Sequence, residues 1–95
     1  MTRQEIDTAI INYLRPYHPE RIGIFGSVAR NEDTNESDID ILIKFGVVPS
    51  LFEFVRMEID LSDILGRKVD LVSEGALNNE RLKAYIFQDL QVIFE

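Results

Sequence analysis

The sequence predicts a small two-layer α/β domain, a mixed sheet with helices packed mainly on one face. Two observations lead there. Apolar residues recur with helical spacing near the start of the chain and again after residue 50. Between and beyond these stretches lie short runs of Ile, Val, Leu and Phe, each bounded by turn-forming residues.

Size and charge narrow the class further. The 95 residues predict one domain, 1–95, and 45% apolar with 28% charged residues is an ordinary globular composition. No apolar run approaches the roughly 20 residues of a membrane span, and MTRQEIDTAI lacks the apolar core of a signal peptide. The expectation is a cytoplasmic protein that does not engage membranes. Without cysteine there are no disulfides and no thiolate metal sites. The net charge of −7 argues against direct nucleic-acid binding, which relies on Lys and Arg to neutralise phosphates. A phosphate ligand would instead need local donors and metal ions.

Taken in order, Thr2 and Glu5 have the spacing of a capping box. The stripe Ile6, Ala9, Ile10, Tyr13, Leu14 and Tyr17 then predicts a helix, closed by Pro16 and Pro19. His18, between the prolines, reads as a surface turn residue. Ile22–Phe25 is a short buried strand that exits at Gly26-Ser27, with Val28-Ala29-Arg30 as a helical turn. Residues 31–36 are turn formers and acids, an exposed and mobile loop. Asp38–Phe45 is the second strand, with Asp38, Asp40, Leu42 and Lys44 on one face and Ile39, Ile41, Ile43 and Phe45 on the other. The short loop before it makes antiparallel pairing with the first strand feasible. Ser50 and Glu53 form a second capping box for a helix running to about Leu65, with Gly66 at its end. Lys68–Val72 is a third strand carrying Asp70. Asn78 or Asn79 caps a last helix over Leu82, Tyr85, Ile86 and Gln88, and Gln91–Phe94 is a terminal edge strand.

Two features carry chemistry. Asp38 and Asp40 share a strand face with alpha carbons about 6–7 Å apart, close enough to converge on one cation. Without a cation they repel, and one must hold a proton. Hard divalent ions prefer oxygen donors, and Mg²⁺ is commonly shared between carboxylates and substrate phosphates. Asp70 completes a set of three if its strand lies beside the second. Gly26-Ser27, at a strand end before a helical turn, can present backbone N–H groups and a hydroxyl to a phosphate, with Arg30 in reach. Each feature also has a plainer reading: a capped strand with solvent-facing acids, and an ordinary tight turn.

Together they resemble the minimal nucleotidyltransferases of the DNA polymerase β-like superfamily, the antitoxin partners of HEPN toxins. The matching segments are Gly26-Ser27-Val28-Ala29-Arg30, Ser37-Asp38-Ile39-Asp40, and Asp70 within Val69-Asp70-Leu71-Val72. The resemblance covers about residues 22–72. Where the family has Gly after the Arg, this chain has Asn31, a residue that tolerates left-handed backbone.

The resemblance implies a polymerase-β-like palm. Gly26, Ser27 and Arg30 would bind a nucleoside triphosphate, ATP by expectation. Asp38, Asp40 and Asp70 would be the catalytic and metal-binding set for Mg²⁺, two ions, with Mn²⁺ as a substitute. The implied reaction moves AMP from ATP to a hydroxyl, a tyrosine by expectation, of a HEPN toxin partner, so that the chain acts as an antitoxin. Two alternatives are a non-catalytic antitoxin that occludes its partner, and nucleotidyl transfer to a small molecule. A homo-oligomer is also allowed, and the sequence does not fix the oligomeric state.

Overall fold

Helix ends are set by local side-chain chemistry. In a computed structural model, which describes residues 1–95, helix α1 spans Arg3–Leu14. It opens on the expected capping box: Glu5 N–H donates to Thr2 Oγ1 at 3.1 Å and Thr2 N–H to Glu5 Oε1 at 2.8 Å. A 3₁₀ turn at Arg15–Tyr17 takes Pro16, and exposed His18 leaves it with a left-handed φ of 54°. Helix α3, Leu51–Leu65, repeats the box with Ser50 and Glu53, both bonds at 3.1 Å, and stops where Gly66 adopts φ 65°. A cap of this kind stabilises a helix by about 1 kcal/mol. Helix α4, Glu80–Asp89, is capped by Asn79, whose Oδ1 accepts from the N–H groups of Arg81 and Leu82.

The strands are β1 (Pro19–Phe25), β2 (Ile39–Phe45), β3 (Val69–Ser73) and β4 (Gln91–Phe94), with the helical turn α2 at Gly26–Ala29. Their spatial order is β3-β2-β1-β4. β1 runs antiparallel to both β2 and β4, whereas β2 and β3 are parallel, with α3 as the crossover between them. The sheet is therefore mixed, as expected, and Gln91–Phe94 is an edge strand.

Several boundaries differ from the sequence expectation. β1 begins at Pro19 rather than Ile22, because a strand's first residue can lack a donor. The helical turn covers Gly26–Ala29, and Arg30 closes it. Asp38 and Lys68 stand just outside the strands, since the parallel ladder starts at the Ile39–Val69 pair. A further 3₁₀ turn at Glu74–Ala76 was not legible in the residues.

Strand alternation gives the sheet two unlike faces. One carries Ile22, Ile24, Ile39, Ile41, Ile43, Val69 and Leu71, packed against Ile6, Ile10 and Leu14 of α1 and Met57, Leu61 and Leu65 of α3. The other buries only Phe25 and Leu42 beneath Ile86 of α4, with Phe87, Leu90 and Val72 half-buried around them. Of the four α4 residues singled out in the sequence, only Ile86 is buried; Leu82 and Tyr85 face solvent. Tyr13 Oη–H donates to Asp60 Oδ2 at 2.6 Å and ties α1 to α3. No helix is long and apolar enough to cross a membrane.

Candidate active site

The sparsely covered face carries the acidic residues at one end of the sheet. In the register, Phe25 pairs with Asp40 and Asp40 pairs with Asp70, so the two aspartates stand opposite each other on neighbouring strands. Directly paired residues share a face with Cβ atoms about 5 Å apart. Asp38 precedes β2 on the same side, and its contact with Asp70 is part of what perturbs that residue. The structure thus brings together the three carboxylates singled out in the sequence.

Their electrostatics are those of crowded acids with too little positive charge. Burial, then Asp70 and Asp38, push Asp40 from 3.8 up to about 6, and Arg30 opposes this. Asp70 is raised too, by burial first and the Asp38 carboxyl next, with Lys68 pulling the other way. Lys68 Nζ lies 3.8 Å from both Asp38 Oδ2 and Asp70 Oδ1. This ammonium is exposed on a long stem, so it offsets the repulsion only weakly.

The donor set suits a hard divalent ion, because it is all carboxylate oxygen and short of cationic charge. The carboxylates do not close a ready-made three-donor cage. Asp38, Asp40 and Asp70 are the residues that would hold such an ion.

The expected phosphate cradle abuts this pair. Gly26 has φ 72°, and a Cβ there would collide with Asp40 Oδ2. Glycine is needed at this position for both reasons. The first N–H groups of the α2 turn have no intrahelical acceptors. Ser27 is half-buried, and its carbonyl accepts from Glu32 N–H at 2.9 Å. Asn31 takes φ 60°, so the left-handed turn is made without glycine. Arg30 is near enough to influence Asp40, yet it is committed elsewhere: Nη1 donates to Asp89 Oδ2 at 2.8 Å, and Glu32 lies beside it.

The loop between the two halves is exposed as expected, but it is tethered. Thr34 N–H donates to Ser37 Oγ at 2.9 Å, and Ser37 N–H to the Thr34 carbonyl at 3.0 Å. Arg67, largely buried after α3, donates from Nε to the Ser37 carbonyl at 3.1 Å and sits 3.1 Å from Asp33 Oδ2. The approach to Asp38 is therefore anchored from the α3–β3 turn. Lys68, Arg67 and Asp89 did not stand out in the sequence. Lys68 alone had a signal there, since strand alternation puts it on Asp70's face.

Comparison with known proteins agrees with this geometry. Residues 8–95 match the family described as "Polymerase beta, Nucleotidyltransferase". A Methanocaldococcus jannaschii protein described as a candidate protein adenylyltransferase is 51% identical over 74 residues, 78% of this chain and 76% of the relative. Protein adenylyltransferase MntA of Thermococcus cleftensis is 35% identical over 83 residues, 83% of this chain and 84% of the relative. Among solved structures, a toxin–antitoxin complex with AMP-PNP superposes with a TM-score of 0.84 at 22% identity, covering 93% of this chain and 72% of that one. A tri-AMPylated Shewanella oneidensis HEPN toxin in complex with MNT antitoxin gives 0.80 at 21% identity, covering 98% and 72%. At these identities the structural likeness speaks for the fold alone. The chain belongs to the polymerase β nucleotidyltransferase family. Its class is therefore that of the nucleotidyltransferases, enzymes built on a small mixed sheet.

Proposed function

We propose that this chain is an Mg²⁺-dependent protein adenylyltransferase that moves AMP from ATP to a tyrosine hydroxyl of a HEPN-type toxin, and so acts as its antitoxin. The observation that carries this reading is the close approach of Gly26 to Asp40, with Asp70 opposite, which sets the residues expected to hold phosphate beside the three carboxylates. The names of the relatives support adenylyl transfer to protein, and the toxin complexes among the structural neighbours support the kind of partner.

In this reading Gly26 and Ser27 hold the triphosphate. Arg30 exchanges Asp89 for a phosphate oxygen. Asp38 and Asp40, with Asp70, would hold Mg²⁺, or Mn²⁺ in its place, and the ions would supply positive charge against the triphosphate and the departing pyrophosphate. The acceptor oxygen forms a bond to the α-phosphorus as the bond to the pyrophosphate oxygen breaks. The hydroxyl proton passes to Asp70, which stands opposite Asp40 on the neighbouring strand. Tyrosine's hydroxyl, with an ordinary pKa near 10, makes that transfer easier than from serine or threonine.

The test is to mix the protein with labelled ATP, Mg²⁺ and the cognate HEPN partner. Label on a partner tyrosine is expected. An unlabelled partner that still binds would remove the enzymatic claim.

A further inference from the structure

β3 lies at one edge of the sheet, so the N–H groups on its outer side have no strand to bond. Two of them, on Val69 and Leu71, flank Asp70, and both are met by side chains of α3. Val69 N–H donates to Ser62 Oγ at 3.0 Å and Leu71 N–H to Glu58 Oε2 at 2.9 Å. Ser62 Oγ–H donates in turn to the Glu58 carbonyl at 2.8 Å, which leaves the oxygen's lone pairs for Val69. The spacing fits. Four residues of helix rise about 6 Å, and two residues of strand about 6.6 Å, so an i, i+4 pair on α3 matches consecutive outer donors of β3. Both clamping residues are only half-exposed, and the carboxylate bond is charge-assisted, so it is stronger than a neutral one.

We propose that Glu58 and Ser62 are positioning residues for Asp70. They fix the height and tilt of β3 so that Asp70 stands opposite Asp40. An edge strand held only by the β2 ladder could twist or fray, and Asp70 would move with it. The clamp bonds the backbone on either side of the aspartate and makes no hydrogen bond to its carboxyl, although the Glu58 charge is near enough to bear on it. The inference rests on the role proposed above for Asp70.

The decisive comparison is Glu58→Ala against Glu58→Gln in the full chain. The alanine removes the acceptor for Leu71 N–H, whereas the glutamine keeps an amide oxygen that can accept it. Mn²⁺ affinity in the presence of ATP is read by paramagnetic resonance, alongside kcat and KM for transfer to the partner. Glu58→Ala is expected to lose about 10–100-fold in Mn²⁺ affinity or kcat, as removal of a ligand-orienting group does, with KM for ATP unchanged. Glu58→Gln should recover most of that loss, and Ser62→Ala should lose less than Glu58→Ala. Amide exchange at Leu71 should quicken in the alanine variant. Wild-type Mn²⁺ affinity and kcat in Glu58→Ala, or a Glu58→Gln as impaired as the alanine, would overturn the proposal. Should Glu58→Ala fail to fold, Ser62→Ala and Glu58→Gln decide the same question. If the wild type transfers nothing to its partner, the adenylyl-transfer reading fails while the Mn²⁺ titration still reports on the clamp.

Discussion

The face of the sheet under α1 and α3 gathers fifteen buried residues into one cluster, whereas the face under α4 buries three. The first is nearly all branched aliphatic chain from six elements, and it holds no buried charge. The second gives up coverage at one end, and there Asp38, Asp40 and Asp70 stand together, half-exposed and mutually repelling. The contrast shows how a short chain accommodates an unfavourable site. Stability comes from one face, and the strands transmit it to side chains on the other, because neighbouring residues of a strand point opposite ways. Asp40 lies between Ile39 and Ile41, both fully buried.

The largest effect should come from striking the acidic face alone. Asp38→Asn with Asp40→Asn is expected to abolish AMP transfer, by at least about 10³-fold in kcat, since metal-borne charge stabilisation contributes several kcal/mol. Folding should survive, which circular dichroism and partner binding would check; a doubly substituted protein with normal turnover contradicts the site. The next largest effect strikes the cores. Leu61→Ala should destabilise by about 3–4 kcal/mol and Ile86→Ala by about 2 kcal/mol, within the range for cavity-forming substitutions, measured by urea unfolding. Equal losses would mean the two faces are equally packed.

A third measurement loads the site. Mg²⁺ with ATP at about 100 times its dissociation constant should add about 2.7 kcal/mol, visible as a rise in Tm in the wild type and absent in the double asparagine variant. The smallest effect is the pH dependence of the metal-free protein. Asp40 binds its proton more tightly when folded, from 3.8 to about 6, so the native state holds the extra proton between those values. Its contribution to stability is complete below pH 4 and lost as pH rises through about 6. For a group partly screened by solvent the loss is roughly 1 kcal/mol. Unfolding curves for wild type and Asp40→Asn across that range should diverge with increasing pH, the variant becoming relatively more stable. Parallel curves would show Asp40 to be well solvated.

Much of this was legible because it is local. Period-two alternation placed Asp40 on one side of β2 with Asp38 just before the strand on the same side, and the capping pairs Thr2–Glu5 and Ser50–Glu53 marked two helix starts correctly. Asp70's pairing with Asp40 required a guess about strand order, and β2 and β3 do pair in parallel. Less legible was anything that depends on how elements rotate against one another. α4 turns Ile86 and Phe87 inward and Leu82 and Tyr85 outward, with Leu90 packed just beyond its end, because β4 must return beside β1 immediately after it. The clamp from Glu58 and Ser62 had no signature either, since an acid and a serine one turn apart are ordinary on a half-exposed helix. Arg30's engagement with Asp89 joins residues 59 positions apart and lay equally beyond the residues themselves.

The parallel pairing of β2 with β3 has a consequence in time. The chain cannot set Asp70 beside Asp40 until α3 has formed and closed the crossover, and such non-local pairing is slow compared with helix formation. A half-folded molecule can own α1, α3 and the β1–β2 hairpin yet have only part of its carboxylate set. Affinity for Mg²⁺ and ATP should therefore appear during refolding in step with the last pairing. The bound nucleotide would serve as a clock for the completion of the fold.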